Sequence, residues 1–224
     1  MFIICNFILI FVINIILNER IKINNRKFNS LQILDIKVAK GTNVHIINPD
    51  YIPIKNVYVN GKKSNINNNG NIQDLQFDIN DVTLEWDEKY INYTKLFMKL
   101  DSIIEVDFSN FDSTGVLSMA NMFNNCKQLK RINFNNFNTL SVYDMSSMFE
   151  GCYSLESLDL SNFDTLNVIN MENTFKNCFA LTSLNLSNFK TPKLMRMDGM
   201  FMNCINLEVV DLSNMDPSKV ICMN

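Results

Sequence analysis

From Val106 onward, apolar and polar positions recur in one order every 26 residues. VDFSNFD begins at Val106, INFNNFN at Ile132, LDLSNFD at Leu158, LNLSNFK at Leu184 and VDLSNMD at Val210, with no insertion between copies. A second string keeps the same register, as MFNNC, MFEGC, TFKNC and MFMNC end at Cys126, Cys152, Cys178 and Cys204. Upstream, TKLFMKLDSII (94–104) lies on the same grid, with Phe97 in the Phe123 slot and Leu100 in the cysteine slot. A fixed period of this length is the mark of a repeat architecture.

The two halves of the unit carry different periods. L-x-L alternates apolar and polar residues, as a half-buried strand does, and predicts strands near 106–108, 132–134, 158–160, 184–186 and 210–212. V-x-x-M-x-x-M-F-x-x-C-x-x-L spaces its apolar residues by three or four, which predicts a short helix. The expected fold class is therefore an α/β repeat solenoid, with stacked strand-helix coils that share one core and pair their strands in parallel.

Residues 28–80 lack the repeat and show β-type alternation in LQILDIKV (31–38) and KNVYVNGKK (55–63), where Asn60-Gly61 suits a two-residue type I′ hairpin turn. They predict a small β-rich N-terminal cap over the first coil, and the Asn-rich run KKSNINNNGN (62–71) reads as a loop. Residues 1–18 hold the apolar stretch MFIICNFILIFVINIIL, short for a spanning helix and suited to a signal-peptide core. Arg20, Lys22, Arg26 and Lys27 follow it, so an uncleaved N-terminal anchor is the alternative. Asn224 stands fifteen residues into the fifth clear copy, so the last repeat reads as incomplete and end-to-end association of an uncapped edge is expected.

The motif LDLSNFDT…V…M…MF..C..L resembles the leucine-rich repeats of BspA-type surface proteins and the similar repeat of mycoplasma-type surface lipoproteins, over roughly residues 82–224. The resemblance implies a leucine-rich-repeat-like solenoid over 81–224 in a secreted or cell-surface protein. It implies adhesion to, or recognition of, a protein or glycan partner, without catalysis. Cys5 follows Phe2, Ile3 and Ile4 rather than small residues, which sets this N-terminus apart from the lipid-anchored members. A structural repeat that self-associates into a filament or coat is the alternative function.

Composition narrows the chemistry. With 47% hydrophobic residues and a net charge of −3, the chain can bury a core and has no basic bias toward nucleic acid, and any membrane contact is expected only through the N-terminal anchor. The cysteine column has Leu100 as its apolar counterpart, which predicts buried, reduced, space-filling thiols rather than disulfides or zinc. His45 is the only histidine and has no nucleophile motif beside it, so neither a catalytic site nor a cofactor is expected. Asp107, Asn133, Asp159, Asn185 and Asp211 form a strand column read as a stabilising ladder, since a flat row does not converge enough oxygens on calcium. The serine and asparagine columns that follow, such as Ser161 and Asn162, read as turn residues. The candidate partner surface is an apolar stripe of Leu117, Tyr143, Ile169, Met195 and Ile221, which falls outside the helical arc of Met119, Met122, Phe123 and Cys126; if the segment is not helical there, the stripe is more core instead.

Overall fold

The computed structural model describes residues 31–41, 44–48, 54–67, 71–73, 75–87 and 90–221. The expected signal or anchor segment, 1–18, lies outside them, as do Cys5 and Cys222. Among the described residues no helix is long and apolar enough to cross a membrane.

The chain forms β1 (Gln32–Gly41), β2 (Val44–His45), β3 (Asn56–Val59), β4 (Lys62–Ser64), β5 (Asn71–Ile72), β6 (Leu75–Trp86), β7 (Ile103–Asp107), β8 (Arg131–Asn133), β9 (Ser157–Leu158), β10 (Ser183–Asn185) and β11 (Val209–Asp211). These make a six-stranded sheet in the order β4-β3-β6-β1-β7-β8, a three-stranded sheet β11-β10-β9 and the pair β2-β5. The repeat strands pair in parallel at the 26-residue offset, Val106 with Ile132 and Leu184 with both Leu158 and Val210. No strand pairing joins β8 to β9, so the ladder is interrupted there.

The expected α/β solenoid is overturned: the described residues hold strands and turns and no helix, and the strands lie in separate sheets rather than one closed coil wall. The reason lies in two left-handed residues per repeat. Asn121 and Asn125 have φ of 57° and 59°, and the same two slots are left-handed at Lys95 and Lys99, Ser147 and Gly151, Asn173 and Asn177, and Gly199 and Asn203. A helix cannot run through such residues. The N–H groups of Met119, Asn121, Phe123 and Asn125 instead reach the carbonyls of Asp144, Ser146, Met148 and Glu150 in the next repeat, at 2.7 to 3.0 Å. Between them, Met122, Asn124 and Cys126 donate three residues back, closing successive turns. Consecutive turns of this kind return apolar residues to one face every three or four positions, the spacing that reads as helical in the sequence.

That face is the core. Phe97, Phe123, Phe149, Phe175 and Phe201 stack with ring centroids 5.3 to 5.9 Å apart and planes within 11°. Beside them Cys126, Cys152 and Cys178 are fully buried and unpaired, and Cys204 is half-buried. Each thiol donates to the carbonyl of the phenylalanine of the preceding repeat, from Cys126 to Phe97 at 2.8 Å through Cys204 to Phe175 at 3.0 Å. Burial pushes the Cys126 thiol up to about 12 from its usual 9.0, and pushes Cys152 and Cys178 up as well. Unfolded thiols release their protons first as pH rises, so this contribution to stability is complete below pH 9.0 and is lost as pH climbs toward about 12. At pH 8 iodoacetamide should leave Cys126, Cys152 and Cys178 unmodified in the native chain and label all three in denaturant, read by peptide mapping. Labelling of these three in the native state at the denatured rate would contradict their packing role.

The N-terminal unit joins this core instead of standing apart. β3 and β4 form the predicted hairpin through Asn60 and Gly61, both with positive φ, so the Asn-rich run begins as strand rather than loop. β1 lies between β6 and β7, with Ile36 opposite Val82 on one side and Val106 on the other. Leu34, Ile36, Val38, Leu84 and Trp86 thereby enter the same buried cluster as the phenylalanine stack.

Candidate functional site

The alternation that buries Leu34, Ile36 and Val38 turns Asp35 and Lys37 to the opposite face of the sheet. Register then aligns them with the outward residues of neighbouring strands in two rows. One row runs Asp81, Lys37, Glu105, Arg131, and the other Thr83, Asp35, Asp107, Asn133. Ser157 and Asp159 follow across the interruption, and both rows line a concavity of about 770 Å³.

The rows differ in charge balance. In the first, signs alternate, and Glu105 takes both Lys37, at 3.5 Å, and Arg131. In the second, Asp35 and Asp107 face each other directly across β1 and β7, and no cation stands in the row. The Thr83 hydroxyl donates to Asp35 Oδ1 at 2.6 Å, while Asp107 Oδ1 accepts the Ser109 N–H at 2.8 Å and Asn133 Nδ2 at 3.0 Å. Both carboxylates are half-buried, and Asp159 and Asp81 are exposed.

The Asp/Asn column has a local role as well. Asp107, Asn133, Asp159, Asn185 and Asp211 each accept the N–H two residues on through Oδ1, at 2.8 to 2.9 Å. Aspartate and asparagine offer the same acceptor, which explains their alternation. The Ser161 N–H accordingly holds the Asp159 carboxyl below the usual range. The same device recurs at Asp112, Asn138, Asp164 and Asp216, and at Asn92, Asp144 and Asn170. Asn162, Asn188 and Asn214 donate to backbone carbonyls of the preceding repeat, which makes them structural as read.

The apolar stripe expected as a partner surface is placed differently. Leu117, Tyr143 and Ile169 are each only 8% exposed and pack on one another, with Met195 and Ile91 partly buried against them. Successive N–H groups donate to the residue 26 positions earlier, from Leu117 to Ile91 through Ile221 to Met195, at 2.7 to 2.9 Å. The stripe is a second small core along a backbone ladder, and of its five residues only Ile221, 51% exposed, faces outward as a partner surface requires. The reason is the stacking offset, which lays each residue on its own counterpart and covers it. His45 sits in β2 and lines no part of the concavity.

Asp35, Lys37, Asp81 and Thr83 were not among the residues singled out in the sequence. The LDIKV alternation carries the signal for which face they take, but the pairing of β1 with β7, about 70 residues away, has no local signature.

A family model described as Mycoplasma protein of unknown function, DUF285, matches residues 65–181, 91–208 and 156–224, overlapping stretches that together span the repeats. No curated protein and no solved structure matches the chain.

Proposed function

The chain belongs to the DUF285 family of mycoplasma proteins of unknown function, and from that premise we propose that it is a surface-type repeat protein, secreted or held at a cell surface. On this reading it is used, like the BspA-type proteins its motif resembles, to hold a protein or glycan partner without chemistry. The observation that carries this is the concave polar face over β6, β1, β7 and β8, about 770 Å³ in volume and lined by side chains from both the cap and the first repeats. Such a face is rigid, because its polar groups are fixed by cross-strand partners and by turn N–H groups. A non-catalytic role is supported by where the reactive groups go: the column thiols are buried, hydrogen-bonded and shifted up, far from thiolate chemistry.

The test joins location to use. Trypsin applied to intact cells that make the protein should destroy it while a cytosolic marker survives, and the purified chain should be retained on immobilised extracellular-matrix protein or glycan. Asn133→Arg, which puts a guanidinium in the middle of the second row, should reduce that retention at least about tenfold. A chain protected until the cells are lysed would contradict the surface reading, and retention unchanged in Asn133→Arg would remove the face from it. A chain that adheres only to itself would favour the filament or coat alternative.

A further inference from the structure

We propose that the occupant of the polar face is an extended cationic polypeptide segment, with arginine or lysine side chains seated on the row Asp35, Asp107, Asp159; this rests on the recognition reading above and names its partner chemistry.

The second row carries an unbalanced charge. Like charges directly opposite in an antiparallel pair destabilise a sheet, yet Asp35 and Asp107 are so placed and are both half-buried. The two cations of the face do not relieve them, since Lys37 and Arg131 are both engaged by Glu105 in the neighbouring row. The hydrogen bonds that Asp35 and Asp107 accept among the described residues all go to Oδ1, and both residues line the concavity. A guanidinium presents paired donors and suits two adjacent carboxylates.

The layout of the row favours a polymer over an ion. Paired strands lie about 4.8 Å apart, so Asp159, two repeats beyond Asp107 and across the interruption, stands at least roughly 10 Å from that pair. An extended segment crossing the strands brings side chains i and i+4 to one side over about that distance. Calcium instead needs six or more oxygens converging on a point, and among the described residues no group of three acidic, histidine or cysteine side chains converges so. A sugar would look for open aromatic faces. Among the described residues that line the face the one aromatic, Phe134, is 3% exposed, and the stacked pair Tyr153 and Phe179, 5.0 Å apart, lies elsewhere.

The experiment titrates the purified full chain into a fluorescein-labelled decapeptide of alternating arginine and serine, read by anisotropy. An alternating glutamate and serine decapeptide, a neutral hexasaccharide and calcium chloride serve as competing probes. The basic peptide should bind and weaken as sodium chloride rises, while the acidic peptide should not bind. The double variant Asp35→Asn, Asp107→Asn keeps every Oδ1 acceptor and removes both charges, so it should bind at least about tenfold more weakly while melting no lower than the parent. Asp159→Asn should weaken binding about threefold, and Asp101→Asn, off the face, should not change it. Equal binding of both peptides, unchanged affinity in the double variant, or saturation by the hexasaccharide or by calcium alone would overturn the proposal. If the basic peptide fails but the chain is still retained on matrix and Asn133→Arg releases it, the peptide class alone falls; if Asn133→Arg changes nothing, the face reading falls with it.

Discussion

Replacing Phe149 by alanine should lower the free energy of unfolding by about 4 kcal/mol, the middle of the range for a buried aromatic truncated to a methyl. Phe149 is fully buried and sits in the middle of the ring stack, 5.9 Å from Phe123 and 5.6 Å from Phe175. Its carbonyl also accepts the Cys178 thiol, and its N–H donates to Thr174 at 2.9 Å, so the backbone around the lost ring is pinned and cannot collapse into the cavity. Phe201→Ala should cost less, because that ring is only half-buried and has one stacked neighbour among the described residues. Guanidinium denaturation of the two variants beside the parent reads the difference. A loss below about 1.5 kcal/mol for Phe149→Ala would show that the column is loosely packed and that the stack does not hold the repeats together.

The second large effect is expected at Gly151, for a reason of backbone rather than core. Its φ is +75°, and a Cβ there would come 2.7 Å from Asn125 Oδ1 in the preceding repeat. Valine would add the left-handed penalty of a β-branched residue to a steric conflict with the stacked neighbour, so Gly151→Val should cost about 3 kcal/mol. Gly115 separates the two terms: its φ is +84° but a Cβ would meet nothing within 4 Å, so Gly115→Val should cost only the left-handed penalty, about 1.5 kcal/mol. Equal costs at the two sites would mean that the repeats are not in contact at the turn corners.

Much of this architecture is written in the sequence, and the part misread has a physical cause. The 26-residue register, the phenylalanine and cysteine columns and the Asn60-Gly61 hairpin each depend on neighbours close in sequence or one period away, and each is found where the pattern places it. The helix is not, because Met119, Met122, Phe123 and Cys126 satisfy helical spacing and a chain of turns equally well. The discriminating signal was present: Asn121 and Asn125, Asn173 and Asn177, and Gly199 and Asn203 repeat at a separation of four, and these residue types are the ones that accept positive φ. Lys95 and Lys99 disguise it in the first copy. The repeat strands end one residue or more before the L-x-L triplets do, because the Asp/Asn that follows each of Val106, Ile132, Leu158, Leu184 and Val210 closes the ladder by turning back on its own backbone.

The candidate face was less legible. Only part of it, the residues of β1 and β6, precedes the repeat strands, and Asp35 meets Asp107 only because β1 inserts between β6 and β7, where Ile36 pairs with Val82 on one side and Val106 on the other. Alternation assigns a residue to a face but does not choose the strand beside it. The apolar stripe failed as a surface for the same reason in reverse. Tyr143 looks outward on a helical wheel, but the stack sets it between Leu117 and Ile169.

Turns, not helices, carry the repeats, with alternate N–H groups leaving each unit for the next. Through-hydrogen-bond NMR couplings on isotope-labelled protein test it most directly. The structure predicts couplings from the N–H of Phe123 to the carbonyl of Met148 and from Asn125 to Glu150, with Met122 coupled to Met119 between them. Couplings running four residues back, from Phe123 to Met119 and from Asn125 to Asn121, would show a helix in the repeat and contradict the account.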